Sequence, residues 1–345
     1  MTTINIYTFN VQFYRDKHPG DVFAFIKKNA SAHKIDVICL QEHDISIPME
    51  LTSLPNEGSW DEKQKSKHTH YQIPGYKLAA YCITGEKHLR AGFFGDKYKR
   101  FSNNVLANCI LVKEDLLVQD KINNIKIDSK CTAPRSGCMV KVKDMWIACV
   151  HLCGGRYDDE EFSKISKDDK LLPEEKYSKL QELIDERDNE LTRLYKVQNF
   201  DIITGDFNSY ETKEIAKTHL IKAAYSGYIN LLSDDIKDKY TQYASSGHNA
   251  LVKLKLNRSY TYSDESGDNK INQTSYYGNV VDWVYHNNTK LRVDTVFQIT
   301  SLDFSDHNGV IVYFKINEQP TFKNKYLKYK NKYLNLKFCK KIIQL

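Results

Sequence analysis

Phe200-Asp201-Ile202-Ile203-Thr204-Gly205-Asp206-Phe207-Asn208 is the stretch on which the reading of the fold turns. An apolar run of strand character gives way to Gly205-Asp206-Phe207-Asn208, which places a carboxylate and an amide where a strand becomes a loop. A second stretch repeats the arrangement. Val296-Phe297-Gln298-Ile299 leads through a short link into Ser305-Asp306-His307. Open α/β sheets bind ligands where strands give way to loops. Oxygen-rich groups gathered there suit a hard cation such as Mg2+, which takes one or two carboxylates and keeps its other positions for water and phosphate.

Outward from these stretches, strand-like pieces dominate. Ile4-Asn5-Ile6-Tyr7-Thr8-Phe9-Asn10-Val11 alternates apolar and polar residues, the period of a half-buried strand. His18-Pro19-Gly20-Asp21 signals a turn, and Val22, Phe25 and Ile26 follow at helical spacing with Asp21 as the expected N-cap. Asp36-Val37-Ile38-Cys39-Leu40 then runs into Gln41-Glu42, completing a strand–helix–strand unit whose second strand ends in an acid. Further strands are predicted at 76–81, 108–112, 138–142 and 145–150, the last ending in His151. Pro173 marks a helix start, with Glu174 and Glu175 suited to the helix dipole and an apolar face of Leu180, Leu183, Ile184, Leu191 and Leu194. Residues 211–236 read as partly helical and 238–279 as an irregular insertion rich in Ser, Tyr, Asn and Gly. Strands return at 280–285 and 309–314. No Pro- or Gly-rich linker divides the chain, so one domain is expected over 1–317, followed by a tail over 318–345.

The 345 residues are 41% hydrophobic and 27% charged, as in a globular protein with a sizeable core. No apolar run approaches the ~20 residues needed to cross a bilayer. The start of the chain shows no basic segment followed by an apolar one, so an intracellular location, cytoplasmic or nuclear, is expected. Of eight cysteines, Cys39, Cys109 and Cys149 lie in apolar stretches and read as buried, reduced thiols. Cys149 and Cys153 flank His151, but the spacing fits no standard zinc pattern. The net charge of +6 favours an anionic partner without specifying nucleic acid.

Taken in order, the polar groups that end or punctuate strands are Asn10, Glu42, His151, Asp206 with Asn208, Asp282, and Asp306 with His307. Each alone has an ordinary explanation, since a strand-end Asp commonly caps a turn. The set carries the argument. A phosphodiester resists hydrolysis because its anionic oxygens repel the attacking water and its alkoxide is a poor leaving group. A metal ion answers both problems. Glu42 is the natural metal anchor, with Asn10 and Asp306 as further oxygen donors. Asp206 can orient and deprotonate the water, and Asn208 and Asn10 can hold the phosphate, the water or a carboxylate. His307, its other nitrogen fixed by a carboxylate such as Asp282, would face the phosphoryl group as a cation. His151 is a second candidate for that task. Asp282, set between apolar neighbours, needs a buried partner on any reading.

Thr8-Phe9-Asn10-Val11, Gln41-Glu42, Val150-His151-Leu152, Gly205-Asp206-Phe207-Asn208, Val281-Asp282-Trp283-Val284 and Ser305-Asp306-His307 resemble, in order and spacing, the motifs of the endonuclease/exonuclease/phosphatase superfamily. The resemblance spans residues 4 to about 316. It implies the DNase I-like fold, a four-layer α/β sandwich of two packed, mostly antiparallel sheets flanked by helices. It also implies Mg2+- or Mn2+-dependent phosphoester hydrolysis at one end of that sandwich. Arg135 stands where relatives often carry an arginine, and Arg156, in a stretch matching no subfamily signature, is a second candidate for substrate contact.

Departures narrow the choice. Exonuclease III-type apurinic endonucleases usually have an acid where this chain has Gln12, and a tyrosine-centred motif where it has His151-Leu152. The His-Leu pattern looks more like DNase I, tyrosyl-DNA phosphodiesterases, deadenylases, sphingomyelinases and inositol-polyphosphate phosphatases. A phosphodiesterase acting on DNA or RNA is the leading expectation. A sphingomyelinase-like or inositol-phosphate phosphoesterase and a non-catalytic binding module are the alternatives. In the tail, Phe322, Tyr326, Tyr329, Tyr333 and Leu336 recur at spacings of four and three among lysines. That pattern reads as an amphipathic helix that docks on the body, pairs with a second copy, or offers a basic aromatic surface to nucleic acid or an acidic partner. The tail also resembles the C-termini of giant DNA virus proteins, which would place the protein in a virus factory or virion.

Overall fold

The alternation along residues 4–9 builds β1 (Thr3–Asn10), but both of its faces are buried. Ile4 and Ile6 enter a core between two sheets, while Tyr7 and Phe9 pack on the other side with Val22, Phe23 and Ile26. The expected half-buried strand is thus covered twice, because a helix lies over its outer face. A computed structural model of the chain describes residues 2–11, 19–44, 73–85, 106–127, 136–152, 162, 164–210, 233–262, 270–271, 274, 280–301, 304–317 and 330. Of the tail, therefore, Lys330 alone falls within the described residues.

β1 is followed by α1 (Pro19–Ala32) and β2 (Val37–Asp44), and β1 and β2 pair in parallel. This is the strand–helix–strand unit read from the sequence. Asp21 is not its N-cap: the helix begins at Pro19, which leaves Asp21 in the first turn, where its charge complements the helix dipole. Next come β3 (Tyr76–Gly85), β4 (Leu106–Lys113), β5 (Val118–Lys126), β6 (Ser136–Val142) and β7 (Met145–His151). The long helix α2 (Pro173–Val197) starts at the expected proline, and its Glu175 side chain accepts the Leu172 N–H at 2.9 Å. After β8 (Ile202–Asp206), α3 (Asp234–Ala244) and α4 (His248–Lys253) occupy ground expected to be largely irregular. Ile236, Tyr240 and Tyr243 are the reason. They form a stripe packed with Phe162, Leu180 and Ile184, so tertiary burial makes a helix that local composition does not announce. The chain closes with β9 (Asn257–Arg258), β10 (Thr261–Tyr262), β11 (Lys270–Ile271), β12 (Asp282–His286), β13 (Leu291–Ile299) and β14 (Gly309–Ile316).

Two six-stranded sheets result, ordered β13-β14-β1-β2-β4-β3 and β5-β6-β7-β8-β12-β9. All their pairings are antiparallel except β1–β2 and β7–β8. The sheets pack on one core that includes Ile6, Cys39, Ile110, Val140, Ile147 and Ile202, all buried. The five described cysteines, Cys39, Cys82, Cys109, Cys138 and Cys149, are buried and unbridged, as expected of the three singled out from the sequence. Along one margin the sheets are joined directly. The side-chain oxygens of Asn123 and Asn124 in β5 accept the N–H groups of Tyr81 and Ile83 in β3, at 3.2 and 2.8 Å. The Ser136 hydroxyl donates to the Ile83 carbonyl beside them.

Within the sandwich each inward-facing row changes character along its strand. In β1 it passes from Ile4 and Ile6 to Thr8 and Asn10. In β2 it runs from Val37 and Cys39 to Gln41, in β7 from Ile147 and Cys149 to His151, and in β8 from Ile202 and Thr204 to Asp206. The two parallel pairs therefore present their polar ends together. A buried polar group needs a partner, and at this end the partners are one another.

Candidate active site

Strand register sets the first contacts. His151 lies opposite Asp206 in the parallel β7–β8 ladder, and Asp282 lies opposite Asp206 in the antiparallel β12–β8 ladder. Asn10 ends β1 beside Gln41. Strict alternation would send Gln41 inward and Glu42 outward. Instead the β2–β4 register shifts between Leu40 and His43, and Glu42 takes a φ of 53°. Such a kink re-aims a side chain, and Glu42 Oε1 comes to 3.8 Å from His151 Nε2. Gly205 is equally constrained. At φ 141°, a Cβ there would stand 1.9 Å from the Val150 carbonyl oxygen, so glycine is what lets β8 carry Asp206 so close to β7.

Asp206 is the hub. Its Oδ2 accepts a hydrogen bond from Asn10 Nδ2 at 3.0 Å and lies 3.5 Å from His151 Nε2 and 3.8 Å from His307 Nε2. Its Oδ1 accepts the Asn208 N–H at 2.8 Å. Burial, reinforced by the Asp282 and Glu42 carboxylates, raises the Asp206 carboxyl to about 7, against the opposing pull of His307 and the Asn208 N–H. His307 Nδ1 meets Asp282 Oδ2 at 2.7 Å, the length of a charge-assisted hydrogen bond. Burial works against charge on His307. The Asp282, Asp306 and Asp206 carboxylates outweigh it and hold the imidazole well above its ordinary value. Asp306 Oδ1 lies 3.6 Å from His307 Nε2. Ser305 joins the loop to β1: its hydroxyl accepts the His307 N–H at 3.1 Å and donates to the Asn10 carbonyl at 2.7 Å.

Asn208 stands just beyond β8 in the left-handed region, with φ 47°. Its Nδ2 donates to the Leu152 carbonyl at 3.2 Å. Behind this turn lies a residue not foreseen from the sequence, Arg187 of α2, which is 4% exposed. Its Nη2 donates to the carbonyls of Phe207 and Asn208, each at 3.2 Å, and its guanidinium sits 4.8 Å from the centre of the Tyr243 ring. The signal was present, since position 187 falls on the face defined by Leu180, Ile184, Leu191 and Leu194. A charge on a buried apolar stripe has to meet acceptors. Ser209 is fixed as well, through its hydroxyl to His248 Nε2 at 3.0 Å and its carbonyl to Trp283 Nε1 at 3.1 Å.

Asn10, Glu42, His151, Asp206, Asn208, Asp282, Asp306 and His307 are thus gathered at one end of the sandwich. Arg135 and Arg156 lie outside the described residues. Among the described residues, Asp206, Asp282 and His307 offer ligand atoms within 4.8 Å of one another. His307 Nδ1 and Asp282 Oδ2 are engaged with each other, however, and the carboxylates of Glu42 and Asp306 border the cluster at His151 and His307, 3.8 and 3.6 Å away. Hard cations of the Mg2+ or Mn2+ kind prefer such oxygens. The crowding that lifts Asp206 to about 7 is what a divalent cation would relieve, so these residues fit one. Asp282 Oδ1, buried and without a hydrogen-bond donor among the described residues, adds to the uncompensated negative character.

No family model matches the chain, and no curated protein matches it in sequence. Its architecture is the α/β sandwich of endonuclease/exonuclease/phosphatase proteins, as the motif resemblance implied. The structure of the human Nocturnin catalytic domain with bound sulfate anion shares 13% identity, with 91% of this chain and 95% of that one covered and a TM-score of 0.50. An endonuclease/exonuclease/phosphatase from Beutenbergia cavernae shares 12% identity, with 93% and 73% covered and a TM-score of 0.51. At these identities the likeness is one of fold.

Proposed function

We propose that this chain is a divalent-metal-dependent hydrolase of phosphodiester bonds in nucleic acid. The observation that carries the reading is the pairing of Asp282 with His307 at 2.7 Å, with His307 Nε2 3.8 Å from the Asp206 carboxylate. It sets a fixed hydrogen-bond donor and a candidate base at one point. Glu42, Asn10 and Asp306 would hold Mg2+ or Mn2+, which when bound polarises a phosphoryl oxygen and stabilises charge on the leaving oxygen. Asp206, set between His151 and His307, is placed to take a proton from water. Asn10 Nδ2 and the Asn208 N–H hold that carboxylate in one orientation. Asp282 keeps His307 protonated at Nδ1, so Nε2–H is available to a non-bridging phosphoryl oxygen as charge builds there. His151 offers a second donor across the same carboxylate. The net charge of +6, carried largely by lysines of the tail, favours an anionic partner.

The test is turnover by the purified protein, with Mg2+ or with EDTA, on single- and double-stranded DNA, RNA, 5′-tyrosyl-DNA, sphingomyelin and inositol phosphates. Metal-dependent cleavage of a nucleic acid, lost in Glu42→Gln and His307→Ala, is expected. Cleavage confined to sphingomyelin or inositol phosphates would overturn the substrate class. Absence of metal-dependent turnover on every substrate would overturn the enzyme.

A further inference from the structure

Thr274 is fully buried and lies just ahead of β12. Its hydroxyl oxygen accepts two successive backbone N–H groups, Val281 at 2.9 Å and Asp282 at 3.1 Å. Its carbonyl accepts the N–H of Asn308 at 2.7 Å. One residue thus touches the backbone of Asp282 and of the residue after His307, the two members of the 2.7 Å pair.

The topology explains why a side chain is used here. β12 lies between β8 and β9, but β9 pairs only with Tyr285 and His286. At the Asp282 end the neighbouring strand has stopped, and the buried N–H groups of Val281 and Asp282 need another acceptor. Thr274 supplies it. Along the same peptide run, the Val281 carbonyl accepts the Phe207 N–H at 2.8 Å, and the Tyr260 hydroxyl donates to the Asp282 carbonyl at 2.5 Å. Asp282 is therefore held at both its N–H and its C=O, while Thr274 also reaches the chain that carries His307.

We infer that Thr274 is a positioning residue, setting the separation and orientation of Asp282 and His307 by tying both backbones to one side chain. Its catalytic consequence rests on the proposed phosphoester hydrolysis. A small displacement of a reacting group costs on the order of 10²-fold in rate even when substrate still binds.

The experiment compares Thr274→Val, which keeps shape and removes the acceptor, with Thr274→Ser, which keeps the acceptor. kcat is expected to fall ~10- to 100-fold in Thr274→Val with KM within about twofold, and to recover to within about threefold of wild type in Thr274→Ser. A second readout needs no turnover. The downfield proton resonance of the His307–Asp282 hydrogen bond, identified by its loss in His307→Ala, is expected to be retained in Thr274→Ser and shifted or broadened in Thr274→Val. Should Thr274→Val not fold, Thr274→Cys, with a weak sulfur acceptor, is expected to give an intermediate kcat and an intermediate resonance. Unchanged resonance and unchanged kcat in Thr274→Val, or in Thr274→Cys where that variant stands in, would overturn the inference. Wild-type protein inactive on every phosphoester would instead overturn the functional reading, and the resonance would still decide the role of Thr274.

Discussion

His307 and Asp282 come from different chain segments and meet at 2.7 Å, both buried, with Asp282 Oδ1 receiving no hydrogen bond from the described residues. Asp282 is therefore the main partner that keeps charge on His307. Asp282→Asn removes the charge that holds His307 protonated while keeping the shape. kcat on a phosphodiester substrate is expected to fall about 10²- to 10⁴-fold, the usual range for a positioned proton-handling group. An Asp282→Asn protein with near wild-type kcat would remove the pair from the mechanism.

Glu42 owes its place to a strained backbone, at φ 53°, and to the register shift in β2. As the anchor for a divalent cation it should dominate affinity. Calorimetric titration with Mg2+ is expected to show binding at least about tenfold weaker in Glu42→Gln than in wild type. EDTA should abolish turnover and added Mn2+ restore it.

Arg187 satisfies two loop carbonyls from inside the protein. Arg187→Met leaves both without a donor, and a loss of about 2–4 kcal/mol of stability is expected from urea unfolding. Asn208 should lose its fixed orientation at the same time, so activity should fall further than the folded fraction does.

Gly205→Ala drives a methyl group into the Val150 carbonyl, 1.9 Å away. Strands β7 and β8 would have to part where His151 and Asp206 face each other. A destabilisation of about 3 kcal/mol or more is expected, and a folded variant should lack activity because the hub has moved.

Two histidines outside the reacting cluster set an acid limit on the fold. Burial, aided by the nearby Arg187 guanidinium, lowers His248 to about 4, and burial likewise lowers His286 to about 4. Both resist protonation in the folded chain and accept it near 6.5 when unfolded. Their contribution is present in full above about pH 6.5 and is lost as pH falls towards 4, on the order of 2–3 kcal/mol for each group. Asp206, raised rather than lowered, works in the opposite sense, so the comparison should be with His248→Gln/His286→Gln. The wild type should lose more of its urea midpoint between pH 7 and pH 4.5 than this variant does.

The strand-end acids were legible in the sequence because each ends or interrupts an apolar run, and several such groups recur along one chain. Asp206, Asp282 and His307 were picked out by the set of strand-end polar groups and by its resemblance to known motifs. Arg187 was legible only in part: its place on the apolar stripe of α2 marks it as buried, but its targets are main-chain carbonyls, and nothing in the sequence says which helix turn passes behind Phe207 and Asn208. β5 was missed for the opposite reason. It lies at a sheet edge with most of its residues exposed, so Val118–Lys126 shows little of the periodicity that burial imposes. The bend at Glu42 was also hidden, since alternation alone predicts that Gln41, and not Glu42, faces inward.

The asparagine clasp between β5 and β3 has a consequence for the active site. Asn10 and Glu42 ride on one sheet, His151, Asp206 and Asp282 on the other. Apolar faces alone would let two such sheets slide, because greasy contact has no direction. Asn123 and Asn124, gripping the amides of Tyr81 and Ile83, convert a slippery interface into an indexed one. They act as a dowel: lateral travel is stopped at the margin, and the two half-sites stay aligned.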